Sequence, residues 1–128
     1  MLVKLEEILS ETFQKTLVEA MFFEMANLYP DDTGLKYAIW FGEVGGQHGP
    51  RIKVSNIKGT FAKHDNFVMT IAKEPVNLTP RYTKISVSDI EDIVDWIKIN
   101  YEVLMKLWEI YETGNGSAVE QQSKLEKL

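Results

Sequence analysis

The 128-residue chain contains no cysteine and only two histidines, His48 and His64. The absence of cysteine excludes a disulfide framework, a thiolate nucleophile, an iron–sulfur cluster and a zinc site built on cysteine. Each histidine falls in a predicted turn, and no spacing in the sequence joins both of them to carboxylates as ligands of one metal ion. We therefore predict no metal, no cofactor and no catalytic residue.

The chain also lacks an apolar run long enough to span a membrane. Its first ten residues mix lysine and glutamate with leucine, a pattern that differs from a secretory signal and from a transit peptide. The glycine-rich stretch over residues 42–50 lacks the spacings of nucleotide-binding loops and leads into a strand pattern rather than a helix. We expect a cytoplasmic protein without a membrane partner.

The formal net charge of −5 is distributed unevenly along the chain. Residues 1–34 and 86–128 are acidic, whereas residues 45–85 hold seven basic side chains against two acidic ones. The basic side chains that we assign to one predicted face are Arg51, Lys53, Lys58 and Lys63. Two explanations stay open: the acidic helices lie against a basic sheet, which we favour, or this face binds an acidic partner or nucleic acid.

The hydrophobic pattern predicts an α+β fold with a small antiparallel sheet of four or five strands. The predicted elements are an amphipathic helix over residues 3–20, strands over 22–29, 37–41, 51–55, 61–63 and 67–72, and one long helix over 88–112 packed on the sheet. We divide the chain into an appended helix (1–20), an α+β core (21–112) and a flexible or short helical tail (113–128).

The predicted long helix has more apolar surface than one sheet covers. Ser88 and Glu91 form a capping-box pattern at its start, and Gly114 follows its end. Its apolar arc is about twice the roughly 100° that a helix packed on one sheet needs. The residues of the second apolar flank are Trp96, Val103, Leu107 and Ile110. This flank is covered either by the N-terminal helix or by a second subunit, and the pattern leaves both coverings open.

Two segments carry a family resemblance. Residues 46–54 run Gly-Gln-His-Gly-Pro-Arg-Ile-Lys-Val, and residues 104–108 run Leu-Met-Lys-Leu-Trp. Together they resemble a bacterial family catalogued as domain of unknown function 4160, whose members carry a His-x-Pro-Pro-His-x-His-Val strand and a helix ending in Leu-x-x-x-Trp. The matching positions are Pro50, Ile52, Val54 and Trp108.

The family's three histidine positions fall on Gln47, Arg51 and Lys53 in this chain, so no histidine chemistry is carried over. The resemblance implies an α+β module of a kind often encoded beside toxin–antitoxin or other defence genes.

These observations lead to three functional hypotheses. The first is a non-enzymatic protein-interaction module, homodimeric through the second flank of the long helix. It would be a small accessory or regulatory subunit of a larger bacterial protein in a defence setting, such as a toxin–antitoxin or CRISPR system. The alternative is a nucleic-acid-binding accessory factor that uses the basic segment. The third, ranked last, is a toxin or enzyme with His48 or His64 as a general base.

Overall fold

A computed structural model describes residues 27–42 and 49–128 and confirms the α+β fold. The elements in chain order are β1 (Asn27–Leu28), α1 (Pro30–Thr33), β2 (Tyr37–Trp40), β3 (Arg51–Lys58), β4 (Asn66–Thr70), a 3₁₀ helix (Pro80–Tyr82), α2 (Val87–Ile99), α3 (Tyr101–Thr113) and α4 (Ala118–Gln122). The predicted helix over residues 3–20 and most of the predicted strand over 22–29 lie outside the described residues.

The four strands form one antiparallel sheet in which the spatial order is the chain order. Ile39, Val54 and Phe67 pair across β2, β3 and β4 on the face that packs against the helices, and each is 0 % exposed. On the opposite face the ring of Phe61 lies 4.6 Å, centroid to centroid, from Trp40. All four residues of β2 are buried, which explains its continuous apolar pattern.

Strand β3 is longer than the five residues that the sequence pattern predicts. Ile39 pairs with Val54, but Tyr37 pairs with Lys58, so β3 carries two extra residues between these pairs. The Ser55 hydroxyl accepts a hydrogen bond from the Ile57 amide and donates to its carbonyl, both at 3.0 Å. The irregularity is therefore a β-bulge that extends β3 beyond the predicted residues 51–55.

The predicted strand over residues 61–63 is a turn in the structure. The side-chain amide of Asn66 donates to the carbonyls of Ala62 and Lys63, at 3.2 and 2.9 Å, and these bonds hold the chain in a turn before β4. On the outer side of β4, Asn77 forms an isolated antiparallel bridge with Met69. The segment around Asn77 thus adds a short irregular edge to the sheet.

The predicted single long helix is two helices that meet at Asn100. Its cap is Ser86 rather than Ser88, because the Ser86 hydroxyl accepts a 3.1 Å hydrogen bond from the Asp89 amide. At the junction the Asn100 side chain donates to the carbonyl of Trp96 at 3.0 Å, within one turn of its own helix. Asparagine competes for backbone groups in this way, and the backbone of Asn100 leaves helical geometry at ψ 13°.

Asn100 also holds the C-terminal segment against the helices. Its side chain donates to the Glu126 carbonyl at 2.9 Å and accepts from the Glu126 amide at 2.7 Å. The Leu128 amide donates to the Thr33 carbonyl at 2.9 Å, which ties the same segment to the end of α1. The C-terminal residues therefore contain a short helix, α4, followed by an irregular stretch that is hydrogen-bonded to the rest of the fold.

A cluster of hydrogen bonds, with a buried carboxylate and an exposed lysine, joins the start of α2 to the sheet. The Asp89 carboxylate accepts from the Tyr37 hydroxyl at 2.8 Å and from the Lys36 ammonium at 3.1 Å. These hydrogen bonds, the one from Tyr37 above all, lower the pKa of Asp89 below its usual value. Burial, together with the hydrogen bond to Asp89, raises the pKa of the Tyr37 hydroxyl to about 12.

We predict that Asn100→Ala detaches the C-terminal segment while the sheet stays folded. The variant loses both bonds to Glu126, so the Glu126 amide should exchange its hydrogen about tenfold faster than in the wild type. Hydrogen exchange followed by NMR or mass spectrometry measures this rate. The control is Asn115→Ala, which alters an exposed asparagine and leaves the Glu126 rate unchanged. Unaltered exchange in Asn100→Ala would contradict the role of this side chain.

We also predict that Asp89 contributes stability that depends on pH. Because its pKa is lowered in the folded state, the contribution is fully present above the unfolded-state value of about 3.9 and is lost as the pH falls through the folded value. Urea unfolding should show Asp89→Asn as less stable than the wild type at neutral pH, with a difference that shrinks in acid. Asp95→Asn, on an exposed position of the same helix, is the control. If the stability difference between Asp89→Asn and the wild type did not change with pH, the ionised carboxylate of Asp89 would not be its source.

Candidate interaction groove

An open groove with a volume of about 610 Å³ lies beside α3. Tyr101, Met105 and Trp108 line it from the helix, and Gly49 and Pro50 line it from the chain that leads into β3. The three helical residues are spaced four and three apart, which places them along one face of α3. Tyr101 and Met105 are half-buried, so the groove has an apolar floor that solvent reaches.

The sheet holds Pro50 opposite this helical face. The Ile71 amide donates to the Pro50 carbonyl at 3.0 Å, which continues the pairing of β3 with β4 by one residue. The next residue on β3 that faces the helices, Ile52, is fully buried. The groove thus forms where the sheet ends and the helix continues past it. Pro50 and Trp108, which both carry the family resemblance, meet in this groove.

The rim of the groove is acidic. Glu102, Glu109 and Glu112 line it together with a single basic residue, Lys106. The Lys106 ammonium lies 3.6 Å from the Glu109 carboxylate in an exposed ion pair, which contributes little to stability. The rim therefore carries an excess of negative charge above an apolar floor. Such a site favours an apolar side chain that has cationic neighbours.

A second depression of about 450 Å³ continues the groove toward the junction of α2 and α3. The two share Tyr101 and Glu102, and the second one is also lined by Val103 and by Ile99, which is 51 % exposed. Opposite charges alternate around it, with the Lys98 ammonium 3.6 Å from the Glu74 carboxylate. The groove and the depression form one continuous surface.

The predicted interface on the second flank is wrong for three of its four residues. Trp96 and Leu107 are 0 % exposed and Ile110 is 6 % exposed, so these side chains lie in the core. Val103 alone is half-buried and lines the second depression. Trp96 and Leu107 belong to the same hydrophobic core as the inner face of the sheet. Ile110 is covered because the C-terminal segment folds back: a Cβ on Gly116 would stand 3.1 Å from the Ile110 side chain.

The predicted basic face is divided in the structure. Arg51 and Lys53 are half-buried on the sheet face away from the helices, where Lys53 lies across Gly42. Lys58 and Lys63 are exposed near the other end of β3. The four residues share only their charge, and the length of β3 with its bulge separates them.

Nothing in the described residues supports a histidine as a general base. His48 lies outside the described residues, and His64 is exposed in the turn before β4. Within residues 27–42 and 49–128, no three His, Cys, Asp or Glu side chains are grouped so that they could hold a metal ion.

No family model matches the chain, and no curated protein or solved structure matches it. The resemblance to domain of unknown function 4160 therefore stays a prediction. In the described part of the chain, no helix has the length and apolar character needed to cross a membrane.

We predict that Leu107→Asp unfolds the protein instead of producing folded monomers. The substitution buries a charge without a partner, and even Leu107→Ala should lower the free energy of unfolding by about 2–5 kcal/mol. Circular dichroism and urea unfolding measure both effects. Lys106→Ala, an exposed neighbour, is the matched control and should change stability by less than about 0.5 kcal/mol. A Leu107→Asp variant that still folds would contradict the core position of Leu107 and support its predicted place in an interface.

Proposed function

We propose that the protein is a non-enzymatic interaction module that binds a segment of a partner protein in the groove beside α3. The observation that carries the proposal is the acidic rim above an apolar floor, in which Tyr101 and Met105 are accessible to solvent and Trp108 is buried beside them. Aromatic side chains and methionine are enriched at the centres of protein interfaces, where they supply most of the contact area. The size of the groove suits one or two anchoring side chains of a larger partner.

The charge of the rim specifies the chemistry of that segment. An apolar anchor flanked by lysine or arginine would place its cations among Glu102, Glu109 and Glu112. A cation over the ring of Tyr101 already occurs in the structure, where the Lys73 ammonium lies 6.0 Å from the ring centroid. We therefore propose a basic, partly apolar segment as the ligand.

A symmetric homodimer through this groove is disfavoured, because it would bring the glutamates of one copy against those of the other. The surface suits a different protein better, in agreement with the hypothesis of a small accessory or regulatory subunit. The proposal that this partner is a larger bacterial protein in a defence setting rests on the family resemblance alone.

We predict that reversing the rim charge reverses the preference of the groove. The probes are two short peptides with one tryptophan, flanked by lysines in one and by glutamates in the other. Wild-type protein should bind the lysine peptide, with NMR shifts concentrated between Tyr101 and Glu112, and Glu109→Lys with Glu112→Lys should bind the glutamate peptide instead. The control is Glu91→Lys, on the exposed side of α2. Equal binding of both peptides, or shifts elsewhere, would refute the proposal.

The same variants test the function in the native host. Affinity purification with wild type and with Glu91→Lys should recover a common partner, and the double rim variant should lose it. A partner retained by the double rim variant would place the interaction on another surface.

A further inference from the structure

A second exposed surface lies at the end of β3 opposite the groove. We name it the hairpin-tip surface, and its residues are Ile57, Lys58, Lys63, Arg81, Tyr82 and Lys84, all of them exposed. Its basic residues belong to the basic segment 45–85 of the sequence, and none of them lines the groove.

Asn56 fixes the geometry of this surface by joining three segments of the chain. Its side-chain amide donates to the Asp65 carboxylate at 3.0 Å and to the Tyr82 carbonyl at 2.9 Å, and its side-chain oxygen accepts from the Lys84 amide at 2.9 Å. In the backbone, the Asn56 N–H also donates to the Asp65 carbonyl at 3.0 Å. The end of β3, the turn before β4 and the 3₁₀ helix are therefore held together.

The surface is strongly basic. Lys58, Lys63 and Arg81 are exposed, and the Lys84 ammonium lies 3.0 Å from the carboxylate of Asp65. Three cations thus remain for a ligand after Lys84 is assigned to Asp65. Several cations around one rigid junction favour a polyanion over a single carboxylate.

An exposed aromatic platform accompanies the cations. Tyr82 is 55 % exposed, and the Arg81 guanidinium lies 5.5 Å from the centroid of its ring. Ile57, 46 % exposed, adds an apolar side chain to the same surface. The guanidinium lies over one face of the ring as a cation–π contact, and an unpaired base can stack on an exposed tyrosine ring while neighbouring cations contact phosphates.

We infer that the hairpin-tip surface binds single-stranded nucleic acid, with a base stacked on Tyr82 and phosphates held by Lys58, Lys63 and Arg81. The acidic rim of the groove does not oppose this binding, because the two surfaces are far apart. The eight residues of β3 span about 23 Å, whereas exposed charges are screened beyond about 8 Å at physiological salt. The acidic rim therefore has little effect on a strand bound at the tip.

The test is fluorescence anisotropy of the full chain with a labelled oligo(U) and a labelled oligo(dT) of about 20 nucleotides each. Three phosphate contacts predict a slope of about −2 in a plot of log affinity against log salt, so binding should weaken about 20-fold between about 50 and about 200 mM salt. Lys58→Ala with Lys63→Ala should reduce the slope to about −0.7. Lys98→Ala, an exposed lysine in the second depression, is the control and should leave the slope unchanged.

Tyr82→Ala should weaken binding about fivefold or more without changing the salt slope, and Tyr82→Phe should retain it, because stacking requires the ring and not the hydroxyl. The exposed side chains make these variants compatible with folding, which circular dichroism verifies. Poly-L-glutamate serves as the competing polyanion. No binding at low salt, or binding that the double lysine variant leaves unchanged, would overturn the inference. Equal binding of poly-L-glutamate with no effect of Tyr82→Ala would overturn it in favour of an acidic protein.

Discussion

The arrangement of the helices depends on the hydrogen bonds of one buried side chain, the amide of Asn100, where α2 meets α3. This amide hydrogen-bonds the Trp96 carbonyl in its own helix and both backbone groups of Glu126 in the C-terminal segment. A buried amide that lacks these partners is costly, so the helix junction and the docked segment stabilise each other. The docked segment covers one apolar flank of the helices, and the groove beside α3 lies on another.

The two proposed binding surfaces follow from the separation of charge along the sheet. The acidic groove lies where β3 begins, and the basic hairpin-tip surface lies where β3 ends. The strand keeps them farther apart than the distance over which salt screens exposed charges. A module with this separation is suited to contact a protein at one end and nucleic acid at the other, so the two leading hypotheses from the sequence concern different surfaces of one molecule.

Several parts of the fold were predictable because local chemistry decides them. The aromatic and β-branched run over residues 37–41 predicted β2, the alternation from Arg51 onward predicted β3, and Gly114 after the last helical turn predicted the end of α3. The break at Asn100 was not predictable from periodicity, because the apolar pattern continues through it. A single asparagine among helix-forming residues is an ordinary surface residue unless a distant segment supplies its hydrogen-bond partners.

The sequence by itself determined the α+β class, the positions of most strands, the absence of cysteine chemistry and the segregation of charge. It also identified Trp96, Leu107 and Ile110 as apolar residues beyond what the sheet face of the helix needed. Only the tertiary structure decided what covers them, because helical periodicity records that a side chain avoids water and not which part of the chain it packs against. All three residues lie in the core, and the returning C-terminal segment contacts one of them, Ile110. On another side of α3, Tyr101 and Met105 stay half-buried and line the groove.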